Sequence, residues 1–186
     1  DAFDRDDDGT ISFTEFLVTL RGPLNERRLE FIHEAYRRLD KDGSGLVTLS
    51  DLVSVYDTSF HPEVKAGRMT HEEVVTEFMA QWDTLDKDGT ITVKEFEEYY
   101  LDVSASIDSD DYFELMMRNA WHISGGEGAM ENTTCLRVLV VHSNGDQEVV
   151  EVKDDLGMAR DDMPEIRRRL ESQGVADIAR IELTAQ

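Results

Sequence analysis

The sequence predicts a mainly α fold of helix–loop–helix pairs followed by a small α+β unit of ββαβ order. Three observations predict it. Acidic, glycine-centred loops recur, at residues 4–15, at 40–51 and ahead of Glu95. The stretches between them carry apolar residues at helical spacing. Beyond residue 134 the pattern changes to short apolar runs, two of which flank Asn144-Gly145.

The first loop reads DRDDDGTISFTE. Asp4, Asp6 and Asp8 stand at alternate positions, Gly9 follows, Thr10 and Ser12 come next in alternation, and Glu15 closes the series. This is the EF-hand order, in which loop positions 1, 3, 5, 7, 9 and 12 supply oxygens to Ca²⁺. A hard cation of this size takes about six to eight oxygens, and carboxylates on alternate residues of a tight turn converge on it. Gly9 sits where the backbone conformation strains any side chain. Ile11 is the expected anchor of the loop in a short strand, and Glu15, beginning the next helix, can give both its oxygens. Five matches in register separate this pattern from an acidic surface turn.

The motif returns as DKDGSGLVTLSD. Asp40, Asp42 and Ser44 take positions 1, 3 and 5, Gly45 makes the turn, Leu46 offers its carbonyl, Val47 is the strand anchor, Thr48 takes position 9 and Asp51 position 12. Asp51 is one methylene shorter than the usual glutamate, so weaker Ca²⁺ binding, or more tolerance of Mg²⁺, is expected here. In the third instance Gly89, Ile91 and Glu95 fit positions 6, 8 and 12, and Asp88 and Asp86 fit 5 and 3. Position 1 is then Thr84, a poor ligand; starting from Asp83 makes the loop one residue too long, and from Asp86 two too short. The preferred reading is a hand that keeps the fold and binds metal weakly or not at all. The second and third loops are expected to pair through Val47 and Ile91, leaving Ile11 without a partner in this chain. With no initial Met and no helix entering the first loop, a fragment of a longer protein is expected, or a partner strand from another molecule.

Helices are expected on both sides of the loops. Phe13, Phe16, Leu17 and Leu20 form a stripe ended by Arg21-Gly22-Pro23. Asn25 caps a helix in which Leu29, Ile32, Tyr36 and Leu39 face one side, and Leu52, Val55 and Tyr56 continue after the second loop. Residues 57–69 read as a linker. Thr70 and Glu73 make a capping box ahead of Val74, Val75, Phe78, Met79 and Trp82. Asp108 is read as the cap of a further helix, with Tyr112, Phe113, Met116, Met117, Ala120 and Trp121 on its apolar side; it belongs to the core or fills the groove of its own lobe. After a linker at 124–134, CLRVLVVH and QEVVEVK flank a hairpin turn with a type I′ signal, MPEIRRRLESQG is helical and IARIEL is a strand. The expected domains are residues 1–24, the remnant of an N-terminal EF-hand lobe; 25–123, an EF-hand pair plus a helix; the linker; and 135–186, the ββαβ unit.

Charge bounds the partners. The net charge is −22, and residues 1–130 carry −17 of it. Such a surface repels nucleic acid and anionic lipid. No apolar run approaches membrane-spanning length, so no membrane insertion is expected. Cys135 is the one cysteine, which excludes an internal disulfide and points to a reducing compartment. Catalysis has little support. His33, His61, His71, His122 and His142 lack zinc spacing, Cys135 lies in a strand pattern without an evident base, and Gly125, Gly126 and Gly128 lack the lysine of a phosphate loop.

Beyond the loops, residues 1–122 resemble the calcyphosine family of four-handed proteins. The segments LRGPLNERR, VYDTSFHPEVKAGRMTHEEV and EFEEYYLDVSASIDSDDYFELMMRNAW carry the resemblance. It implies that the three loops correspond to that family's second, third and fourth hands. As ligands it carries over Asp4, Asp6, Asp8, Glu15, Asp40, Asp42, Ser44, Thr48 and Asp51. It further implies a cytoplasmic Ca²⁺-binding protein with a link to ciliated cells. Residues 131–186 fall outside the typical family sequence. The favoured expectation is a Ca²⁺-responsive adaptor with a protein partner and no catalytic activity. The alternative is a structural component of a ciliary or flagellar microtubule assembly, or a dimer, whose metals are permanent or absent.

Overall fold

A computed structural model describes residues 3–5, 8–55, 62–83, 87–126 and 134–183. The sequence readings at Asp6, Tyr56, Thr84, Asp86 and most of the 124–134 linker lie outside them. Among the described residues the chain is mostly helical, with two small antiparallel sheets, and it divides into two compact units, Asp1–Met116 and Met117–Gln186. Among the described residues no helix is long and apolar enough to cross a membrane.

In the first unit, α1 (Phe13–Arg21) is capped by Ser12, whose hydroxyl accepts from the Glu15 amide while the Glu15 side chain accepts from the Ser12 amide. It packs on α6 (Val93–Ala105) and buries Glu15 and Val18. The stripe expected to face inward does not: Phe13 is 75% exposed, Phe16 44% and Leu20 63%, with Leu17 half-buried. Ile11, 52% exposed, joins no strand. The residues that α1 buries, Glu15 and Val18, lie off the stripe, and Phe16 stacks on Phe3.

Helix α2 (Glu26–Leu39), capped by Asn25 as expected, leads into the second loop. It buries Ile32, Ala35, Tyr36 and Leu39 on one side. It also buries Arg28, which the sequence did not mark. After the loop, β1 (Val47–Thr48) and α3 (Leu49–Val55) follow, and then α4 (Pro62–Lys65), a single turn within the stretch read as linker. Helix α5 (His71–Met79) carries the expected Thr70–Glu73 capping box. It brings Trp82 into an aromatic cluster with Phe78, Phe96 and Tyr99. Strand β2 (Thr90–Ile91) pairs antiparallel with β1, Val47 opposite Ile91, both fully buried.

Helix α7 (Asp110–Trp121) starts after Ser109, whose hydroxyl accepts from the Tyr112 amide. Asp108 is not the cap; its carboxylate pairs with Arg21 instead. Phe113 is fully buried and meets Tyr100 edge-on.

The second unit holds β3 (Arg137–His142), β4 (Gln147–Glu151), α8 (Met163–Ser172) and β5 (Ile178–Leu183), in the sheet order β4-β3-β5, all antiparallel. Leu136, Val138, Val140, Val152, Ile166 and Leu170 form its core. Positive φ in the β3–β4 turn falls on Gly145 alone, not on two residues as a type I′ turn requires. The Gly145 amide donates to the His142 carbonyl, and the His142 amide to that of Asp146, which matches a three-residue turn with a glycine bulge. Asn144 keeps negative φ because its side chain binds Asp146 across the turn.

Candidate metal loops

The sixth position of the first two loops and its counterpart in the third are glycines in the left-handed region: φ is 84° at Gly9, 83° at Gly45 and 84° at Gly89. That conformation turns the glycine amide inward, where it donates to the first acid of the loop. Gly9 donates to Asp4 Oδ2 at 3.2 Å, and Gly45 to Asp40 Oδ2 at 2.9 Å. The first carboxylate of each loop is thereby drawn over the loop instead of lying out in solvent.

In the first loop Asp8 Oδ1 accepts from the amide and hydroxyl of Thr10, both at 2.7 Å. Glu15 is buried, with Oε1 on the Arg5 amide at 2.7 Å and Oε2 on the Ser12 amide at 2.8 Å. Helix α1 therefore delivers the closing carboxylate back across the loop from its first turn. Asp4 Oδ1 is buried without a hydrogen-bond partner.

The second loop repeats this plan. Ser44 donates its amide to Asp40 Oδ1 and to Asp42 Oδ1, each at 2.9 Å, and its hydroxyl to the Leu46 carbonyl at 3.0 Å. Hydrogen bonds from the Ser44 hydroxyl and amide hold the Asp42 carboxyl below its ordinary range. Asp51 is 6% exposed, and its Oδ2 accepts from the Thr48 amide at 2.9 Å and hydroxyl at 2.7 Å. Its other oxygen reaches the Lys41 amide at 3.3 Å, against 2.7 Å for Glu15 in the first loop. The missing methylene is visible in that longer contact.

In the third loop the inward amide of Gly89 donates to Asp83 Oδ2 at 2.8 Å, the contact that Asp4 and Asp40 make in the other loops. Glu95 is 1% exposed and caps α6 through Thr92. Tyr36 was read as an apolar helix position, but its hydroxyl lies 2.7 Å from the Ile91 carbonyl and 3.0 Å from that of Gly45. It joins the second loop to the third across the β1–β2 ladder. The signal for it was available: a buried tyrosine hydroxyl needs a partner, and Tyr36 lies one turn before Asp40.

The donor set in all three loops is oxygen, and largely anionic, which suits a hard divalent cation. Among the described residues no three carboxylates already stand close enough to share an ion. The closing acids are held on backbone amides.

Comparison with known proteins agrees with the loop geometry. Residues 29–101 match a family model described as an EF-hand domain pair, and residues 1–22 match a second model of the same description. The chain is 36% identical over 121 residues to crustacean calcium-binding protein 23 of Faxonius limosus, covering 64% of this chain and 60% of that protein. It is 35% identical over 74 residues to the protein of the same name in Homarus americanus, covering 39% of this chain and 51% of that one. Over 97 residues it is 31% identical to calcium-dependent protein kinase 22 of Oryza sativa subsp. japonica, covering 52% of this chain and 15% of the kinase. The chain thus carries EF-hand domains, which imply calcium binding, and spans less than two thirds of these relatives' length.

Proposed function

We propose that this is a Ca²⁺-responsive adaptor without catalytic activity, resident in a reducing, cytoplasmic compartment. The coupling of two loops through Tyr36 and the β1–β2 ladder carries this reading. A change in charge at Asp40–Asp51 bears directly on the carbonyls that Tyr36 touches, and so on α2 and the third loop. The first loop is the strongest ligand set, with Asp4 and Glu15 turned inward and Asp8 held in the turn by Thr10. The bound ion would supply positive charge that offsets these carboxylates. In exchange, Glu15 and Asp51 would give up amide hydrogen bonds that now fix the first turns of α1 and α3, so helix orientation follows ion uptake. Mg²⁺ is the competing ion at Asp40–Asp51, where the closing acid is short.

The exposed stripe Ile11, Phe13, Phe16 and Leu20 supports a protein partner, since it is apolar surface that neighbours a loop. The resemblance to calcyphosines and the similarity to crustacean calcium-binding protein 23 support the calcium role. Residues 135–186, read as a small ββαβ unit, would give the adaptor a second face. A Ca²⁺ titration of the whole chain with a hydrophobic dye tests this. A dye signal that rises on Ca²⁺ addition and is blunted by Glu15→Gln is expected. A flat signal to millimolar Ca²⁺ leaves only a structural protein.

A further inference from the structure

We infer that β5 is a self-complementary sheet edge through which two copies of this chain associate. The order β4-β3-β5 leaves two edge strands in the second unit, and the two edges differ. The backbone at the end of β4 is covered from α8. Gln173 donates through Nε2 to the Glu151 carbonyl at 2.9 Å and accepts the Lys153 amide on Oε1 at 2.9 Å, and Arg169 donates to the Asp154 carbonyl. On β5 the comparable contact falls on the first residue, where Arg167 donates to the Ile178 carbonyl at 2.8 Å. The register shift of the β3–β5 ladder, between Val141 and His142, lies at that same end. Arg180–Leu183 is then a regular run, and among the described residues no strand pairs with its outer side. It carries neither proline nor lysine, the residues that commonly protect such an edge.

The order of charges along β5 names the occupant as a second copy. Two identical antiparallel strands are related by a twofold axis, so each contact occurs twice. With the axis at Ile181, Arg180 of each copy faces Glu182 of the other, and Ile181 faces its own copy. Opposite charges directly across a ladder stabilise it and like charges destabilise it. Centring the axis on Arg180 or on Glu182 instead would set like charges face to face, so the charges also fix the register. Arg180 and Glu182 already meet within the strand at 2.7 Å, with side chains 66% and 44% exposed, and the same two groups can exchange partners across the axis. On the other face Ile181 is half-buried against the core of the unit, and Leu183 is 45% exposed opposite the fully buried Val138. In the pair Ile181 meets Ile181, with Leu183 diagonal to it. One continuous sheet results, ordered β4-β3-β5-β5-β3-β4, with both α8 helices on the same face. The β4 edge has no such match, since that strand carries Glu148 and Glu151 and no basic residue.

Sedimentation velocity of the whole chain over a concentration series, in Ca²⁺ and in EDTA, tests this. A reversible dimer is expected in both, because β5 lies outside the metal loops. Arg180→Glu and Glu182→Arg each set like charges across the axis twice, and each should weaken the dimer about 10-fold or more. A 1:1 mixture of the two variants should restore association as a heterodimer, and so should Arg180→Glu combined with Glu182→Arg. Hydrogen exchange carries the test without any substitution: amides of Arg180–Leu183 should exchange more slowly as the wild-type concentration rises. A monomer at every concentration overturns the proposal. A dimer indifferent to both charge reversals, without concentration-dependent protection of β5, places the contact elsewhere and overturns it equally. A dimer formed only in Ca²⁺ assigns association to the first unit, which also overturns it. The calcium reading survives each of these results, since none of them measures ion uptake.

Discussion

Arg28→Met should cost the first unit about 4 kcal/mol. Arg28 is 7% exposed and reaches from α2 into the corner between α6 and α7. Its Nη1 donates to the Ser104 carbonyl at 3.0 Å and hydroxyl at 2.6 Å, its Nη2 to the Ile107 carbonyl at 3.0 Å, and its Nε to Asp110 at 2.6 Å. The guanidinium also lies 5.0 Å from the centre of the Phe113 ring. Methionine keeps most of the apolar stem and removes all of this. Leaving the buried Ser104 acceptors unsatisfied costs roughly 1–3 kcal/mol. The Ile107 carbonyl is in a half-buried residue and regains some water, and the Asp110 side chain is 38% exposed, so that ion pair contributes at most about 1 kcal/mol. The cation over Phe113 adds about 1 kcal/mol. The sum agrees with the roughly 3–5 kcal/mol typical of breaking a buried charged contact. Because the chain has two units, hydrogen exchange at α2 and α6 amides is the proper assay, reporting the first unit alone. A loss below about 1 kcal/mol at those amides would show that water or Asp110 rearrangement replaces the guanidinium, and would refute the reasoning.

Further expectations concern both units. Asp51→Glu restores the missing methylene and should tighten Ca²⁺ at the second loop about 10-fold while weakening Mg²⁺ competition, by calorimetry with each ion. At Asp155, burial pushes the carboxyl up, but bonding to His122 Nδ1 and the Leu136 amide outweighs it, so the folded pKa lies below the usual 3.8. Its stabilisation is therefore present above about pH 4 and lost as pH falls through the folded value. On acidification through that range the second unit of the wild type should lose stability more steeply than Asp155→Asn, which lacks the titrating carboxyl; identical pH slopes would remove Asp155 from the account. Burial, aided by the Asp155 charge, pushes the Cys135 thiol up to about 12. Its reaction with a disulfide reagent at pH 8 should be at least about 100-fold slower than in urea, and labelling at the free-thiol rate would contradict that burial.

The metal loops were legible because they are local. Alternating acids, one glycine and a closing acid lie within a dozen residues, and their spacing alone prescribes the glycine φ and the capping of the next helix. The caps at Asn25 and Thr70 follow the same logic. The third loop shows where counting stops. Counting back from Glu95 places Thr84 at position 1 and leaves Asp83 as the start of a loop one residue too long, and counting alone does not choose between them. The hydrogen bond from the Gly89 amide to Asp83 is a contact that counting does not supply.

Read alone, the sequence determined the helix–loop–helix plan, the acidic oxygen donors and the change to strands after residue 134, each set by neighbours a few positions away. Tertiary structure decided which side of α1 is covered, that Arg28 enters the interior, that Tyr36 bridges two loops and that Asp83 turns inward. The reason is separation along the chain. Arg28 meets Ser104 across 76 positions and Tyr36 meets Ile91 across 55, and no periodicity in a single helix encodes what stands opposite it.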